Sequence, residues 1–160
     1  MEWTLQIIII MNLLLRFLLF FTFFPAIAGT YHVGKKFGTQ TIQQTINQAS
    51  DGDTILVEPG IYHEKNLLVN KSIVLKGIDF PVLDGESKYE IISIKSSYVT
   101  IDGFKVIHSG SGTLEDPAGI KIYDSHNVTI INNKLHDTFF GIYTQYGKNC
   151  IIKNNTLQSY

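Results

Sequence analysis

VTIINNKL, residues 128–135, and CIIKNNTL, residues 150–157, are one pattern written twice, 22 residues apart. The segments before them match at the same spacing, GIKIYDSHN at 119–127 and GIYTQYGKN at 141–149. A fixed period of this length marks a stacked repeat architecture. Within each copy apolar and polar residues alternate. Val128, Ile130 and Leu135 find counterparts in Cys150, Ile152 and Leu157. Period-2 alternation means strand, because successive strand side chains point to opposite faces. Short strands broken by Asn-Asn and recurring once per coil predict an all-β fold, a right-handed parallel β-helix solenoid.

The asparagines have a physical task. A coil bends sharply between strands, and Asn tolerates the left-handed backbone that such bends need. The period places Asn132 over Asn154 and Asn133 over Asn155. Stacked Asn side chains hydrogen-bond along the stack. Earlier copies are looser. VTIDGFKV starts at Val99, and SIVLKGID puts Ile73 in the role of Val99. The interval after Val99 carries 7 residues more than a 22-residue coil. They fall in SGSGTLEDPA, residues 109–118, a surface loop by composition.

Ahead of the coils, Thr39 is placed to cap a short helix whose Ile42, Ile46 and Ala49 share one face. Such a helix covers the open core and strand edges at the start of a solenoid. Thr54 to Val57, Leu67 to Val69 and Ile73 to Leu75 read as strands. At the other end the repeat runs into Tyr160 without the polar terminal unit that solenoids need. The expectation is a C-terminally truncated β-helix, a fragment or a partial gene product.

Residues 1–28 read as a signal peptide and residues 29–160 as the N-terminal part of one β-helix domain. Residues 7–24 are overwhelmingly apolar, and Pro25 and Ala26-Ile27-Ala28 then form the small-residue pattern of a signal peptidase site. Cleavage is expected between Ala28 and Gly29, which makes the protein exported. No basic residue precedes Ile7, and a start at Met11 instead of Met1 gives a conventional short leader containing Arg16. Once Glu2 and Arg16 leave with the leader, 12 lysines and 13 acidic residues remain. This balance carries no electrostatic footprint for nucleic acid. The single Cys excludes an intramolecular disulfide.

The chain resembles the NosD-like periplasmic β-helix proteins of nitrous oxide reductase maturation. The matching blocks are TIQQTINQASDGDTILVEPGIYHE from Thr41, SIVLKGIDFPVLDG from Ser72 and VTIDGFKVIHSG from Val99. AGIKI from Ala118, FFGIY from Phe139 and NCIIKNN from Asn149 complete the set. The resemblance covers nearly all of the exported chain but only the N-terminal part of a full family member. It implies a periplasmic accessory protein without catalytic activity. Its partners would be an ABC transporter and nitrous oxide reductase, whose copper-sulfur centre the family helps assemble. Contact with a membrane would come only through the transporter. Family members are often labelled copper-binding, so copper is the implied cofactor.

Ligands for copper would be soft or imidazole groups. His108, His126 and His136 are the candidates, yet no two histidines share a register column. His126 aligns with Lys148, and His136 with Gln158. Cys150 occupies the position of Val99 and Val128, which predicts a buried core thiol. Two other classes stay open. A secreted polysaccharide lyase or glycosidase would be an analogy from fold alone. Asp84 and Asp102 each precede a Gly and read as turn residues. The exported chain has no Arg to serve as a lyase base. A surface adhesin requires no site at all. For docking, the candidate is the loop at 109–118. Its Glu115-Asp116 pair gives the sharpest local charge, and binding residues tend to sit on loops held by a rigid scaffold.

Overall fold

The structure, a computed structural model, describes residues 27–38, 40–112 and 116–158, together with Trp3, Gln6 and Met11. Most of the predicted signal peptide, with Arg16, and also Thr39 and Glu115 therefore lie outside the described residues. The described chain winds into coils of three short strands. Strand β1 (Thr30–Val33) precedes the helix α1 (Ile42–Gln48). The first full coil is β2 (Thr54–Val57), β3 (Ile61–Tyr62) and β4 (Leu67–Val69). The second is β5 (Val74–Gly77), β6 (Val82–Asp84) and β7 (Ile92–Ile94). The third is β8 (Thr100–Asp102), β9 (Lys105–Ile107) and β10 (Ala118–Tyr123). The fourth is β11 (Thr129–Ile131), β12 (Lys134–His136) and β13 (Phe140–Gln145), and β14 (Ile151–Lys153) and β15 (Thr156–Gln158) begin a fifth.

Equivalent strands stack in parallel into three sheets. One runs β1-β2-β5-β8-β11-β14, one β4-β7-β10-β13 and one β3-β6-β9-β12-β15. The predicted register holds. Ile120 pairs with Ile142, and Ile130 with Ile152. Apolar columns follow from it. Ile55, Leu75, Ile101, Ile130 and Ile152 form one column, and Leu83, Val106, Leu135 and Leu157 another. The first four members of the Ile55 column are fully buried, whereas Ile152 is 47% exposed. No coil among the described residues lies over Ile152 or Leu157.

The helix has the expected apolar face, with Ile42, Ile46 and Ala49 buried. Its cap is Thr41, not Thr39. Thr41 and Gln44 form a reciprocal capping box. The Glu64 carboxylate accepts from the amides of Ile42 (2.7 Å) and Gln43 (2.9 Å). The Gln43 side chain then bonds the backbone of Leu68 in both directions. It thus stands in for the missing neighbour of β4, and the helix closes a strand edge as well as the core. Gly29 is already tied to the fold. Its amide donates to Asp53 Oδ1 at 2.6 Å, and its carbonyl accepts from Thr54. The amides of Ser50 and Gly29 hold the Asp53 carboxyl below the usual carboxylate range.

Both asparagine columns form, by different means. Asn132 and Asn154 take positive φ, as Gly103 does in the coil before. Asn133 is buried. Its Oδ1 accepts from Phe104 N at 2.9 Å, and its Nδ2 donates to Ile101 O at 3.1 Å and to Asn155 Oδ1. Asn155 repeats this one coil later on Asn133 N and Ile130 O. Each side chain satisfies two backbone groups that the bend leaves open. Asn133→Ala should therefore cost about 2 kcal/mol, the usual penalty for buried groups left unpaired. Asn132→Gly should cost a few tenths at most, since its φ suits Gly. Chemical denaturation of the two variants checks the contrast.

Candidate functional site

β10 and β13, six residues each, are the longest strands, and alternation decides what their outer faces carry. Ile120 and Ile122 are buried inward, so Lys121 and Tyr123 project outward. In register, Lys121 lies between Ser93 on β7 and Tyr143 on β13. Ser109 and Gly110, at the start of the inserted loop, are packed beside them. The Gly110 amide donates to Tyr89 O at 2.8 Å, and Ser109 Oγ accepts from Phe139 N at 2.8 Å. A Cβ at Gly110 would come within 2.9 Å of the Lys88 backbone, so the glycine permits this close approach. Loop and sheet face together enclose an open groove of about 1060 Å³.

The floor of the groove is ionic. The side chains of Lys121 and Glu90 are only 5% and 10% exposed, with Nζ 3.7 Å from Oε2. The Tyr123 hydroxyl lies 3.1 Å from each Glu90 oxygen. Ser93 Oγ bonds both Glu90 Oε1 and Asn66 Oδ1. The Lys121 ammonium also sits over two rings, 4.8 Å from Tyr123 and 5.1 Å from Tyr143. Burial alone would push Lys121 down. Tyr123 and the carboxylates of Glu90 and Asp116 outweigh it and hold the ammonium above its usual value. For the Tyr123 hydroxyl, burial itself acts upward, with Glu90 in the same direction and Lys121 opposing. Near neutral pH the lysine is thus a cation and the tyrosine a neutral donor.

Of the docking loop predicted from sequence, the described residues 110–112, 116 and 117 line this groove. Asp116 lines it, and its carbonyl accepts from Lys121 Nζ at 3.4 Å. The three candidate histidines stand apart from the groove and do not converge. His108 Nδ1 lies 3.0 Å from Asp84 Oδ1, with Asp137 Oδ2 at 3.9 Å from Nε2. Partial burial pushes the Asp84 carboxyl up, but the Glu86 amide and His108 outweigh it, and the carboxyl ends below its usual range. His126 bonds Ser97 Oγ at 2.7 Å and packs edge-on against Tyr98. It pairs in register with Lys148, as the repeat predicts. His136 pairs in register with Ile107 and Gln158. Among the described residues no three His, Cys, Asp or Glu side chains group so as to hold a metal ion. The described residues thus bring together no ligand set for the copper that the resemblance implies.

One further position differs in detail from expectation and another agrees with it. Cys150 is half-buried, not buried, because no coil among the described residues covers its outer side. Asp102 is held by Lys76 at 3.4 Å and by Asn132 Nδ2 at 2.8 Å, so it serves the coil-to-coil bend. The sequence reading missed Glu90, Lys121, Tyr123 and Tyr143. The available signal was alternation in AGIKIY and FGIYTQ, which already set Lys121, Tyr123 and Tyr143 on the outer face.

Residues 38–159 match the family described as the right handed beta helix region. The chain belongs to the right-handed β-helix family. This β-helix is 34% identical over 141 residues to a cell surface glycoprotein of Methanothermus fervidus. The alignment takes in 84% of the β-helix chain and 22% of that relative's length. No solved structure matches it.

Proposed function

We propose that this chain is a non-catalytic, exported β-helix module that holds a polysaccharide chain in the groove over β10 and β13. The observation that carries the reading is the Lys121–Glu90 pair, nearly closed to solvent on the floor of an open groove. An outward position on a β-helix is ordinarily filled by any soluble side chain. Burying an ion pair there costs desolvation and adds little net stability. Its use lies in fixing the Tyr123 and Tyr143 rings along the groove, since the Lys121 ammonium sits over both. The resting protonation states support binding over chemistry, since a lyase base needs a neutral amine or a phenolate and both groups are shifted away from those forms. An extracytoplasmic place is supported by the leader pattern at residues 1–28 and by the relative's description as a cell surface glycoprotein.

The test is a panel of soluble polysaccharides. The chain should bind at least one, release neither reducing ends nor unsaturated products from any, and lose binding on Tyr143→Ala. Turnover of pectate or alginate would transfer the protein to the enzyme class, and binding to no polysaccharide would end the reading.

A finer reading is supported by the blocks from Thr41 to Asn155 that resemble the NosD-like proteins. In it the module acts in the periplasm with an ABC transporter and nitrous oxide reductase, and the loop wall at 109–118 touches the partner. Shortening that loop in a cell carrying the full-length protein should then abolish copper loading of the reductase. Normal loading in that strain would remove this role.

A further inference from the structure

We infer that the groove selects a neutral glycan over an acidic one, through its balanced charge and its tyrosine-lined wall; this deepens the polysaccharide-binding reading and rests on it. Charge balance comes first. Lys88 and Lys121 line the groove, and so do Glu90 and Asp116. Lys121 is already matched by Glu90, and Lys88 lies 3.6 Å from Glu86. A polyanion running along the groove would meet two carboxylates for every two ammonium groups. It would gain little attraction, and each of its own carboxylates near Glu90 would be repelled in a poorly hydrated place.

Hydrogen-bond chemistry points the same way. Neighbouring hydroxyls of a sugar ring each donate and accept, so they suit a wall that offers both functions side by side. Ser111 and Thr144 on the groove lining carry hydroxyls of this kind, beside the buried Glu90–Lys121 pair that Tyr123 and Ser93 hold in place. Asn66 and Gln145, also on the lining, add amides that do both.

The third feature is aromatic. Tyr89, Tyr123, Tyr143 and Tyr146 line the groove, half of the 8 tyrosines in the chain. Such rings offer an apolar face to sugar C–H groups and a hydroxyl at the tip. Phe140 stacks on Tyr143 with centroids 5.3 Å apart and carries the aromatic strip beyond the groove. Coils follow one another at about 4.8 Å, close to the length of one pyranose unit. A glycan lying along the stack therefore meets equivalent columns sugar by sugar.

The experiment uses the full chain in titration calorimetry with soluble neutral glucan, mannan and galactan against polygalacturonate and alginate. Each is measured at about 50 mM and about 500 mM salt, because charge-driven binding weakens steeply over that range. The expected result is binding to a neutral polymer, changed less than about twofold by salt. Tyr143→Ala and Tyr146→Ala should each weaken it about tenfold, the loss of one stacked ring. Tyr146 is 75% exposed, so its removal leaves the fold undisturbed and keeps the test sharp if Tyr143→Ala misfolds. Preferential binding of a uronan that salt abolishes overturns the neutral-glycan inference and leaves polysaccharide binding standing. Neutral-glycan binding that both tyrosine variants leave intact also overturns it. No binding to any polymer overturns both.

Discussion

Ile130→Asp is expected to lower the stability of the chain by about 4–5 kcal/mol or more, enough to unfold much of a marginally stable domain. Ile130 is fully buried, with Ile101 in register on one side and Ile152 on the other. The substitution removes a packed aliphatic side chain, a loss of about 2–5 kcal/mol by itself. It also places a carboxylate where the column offers it only aliphatic neighbours. Ile152→Asp is the control. It changes the same column one coil later, where the side chain is 47% exposed. The charge there reaches water, and the cost should be about 1 kcal/mol. Thermal melts of the pair read the difference directly. Equal melting temperatures, or a wild-type melt for Ile130→Asp, would show that Ile130 does not point inward.

How far the sequence carried depends on what the period repeats. A coil of 22 residues returns the same kind of side chain to the same column, so Ile120 over Ile142 and Asn133 over Asn155 follow from alignment alone. The helix is legible from its apolar face, but its cap lies at Thr41, two residues beyond the expected Thr39. The deciding signal was the partner three residues on. Thr41 has Gln44 to complete a capping box, whereas Thr39 has Ile42. The groove was legible only in pieces. Tyr123 and Glu90 are 33 residues apart, on coils separated by an irregular loop, and no period relates them. The burial of Lys121 arises from neighbouring rings and the loop packed beside β10. Composition marks residues 109–118 as a surface loop and says nothing of which face it packs against. His108 shows the same limit, because its partners Asp84 and Asp137 come from the coils on either side.

The second large effect concerns the Lys121–Glu90 pair. Lys121→Met should cost about 3 kcal/mol, because it leaves the Glu90 carboxylate nearly buried without its cation. Glu90→Leu should cost about as much, stranding the ammonium instead. The double variant should recover most of that loss, since a matched apolar pair replaces the ionic one and only the Tyr123 and Ser93 hydroxyls, which donated to Glu90, must find other partners. The cycle thus predicts strong coupling together with little net stabilisation. Denaturant titration of the four proteins measures both quantities. Additive losses in the double variant would mean that the two side chains do not act as a pair. The pair also has an alkaline signature. Burial opposes the charge on Lys121, but Tyr123, Glu90 and Asp116 together raise its folded value above the ordinary 10.5. A group raised on folding contributes stability that is fully present below its unfolded value and is lost as pH rises through the folded one. Between neutral pH and about 10, wild type and double variant should therefore melt in parallel. Above 10.5 the wild type should lose stability that the double variant never had. Glycan binding completes the separation of roles: the double variant should still bind more weakly, because the ammonium that holds Tyr123 and Tyr143 along the groove is gone.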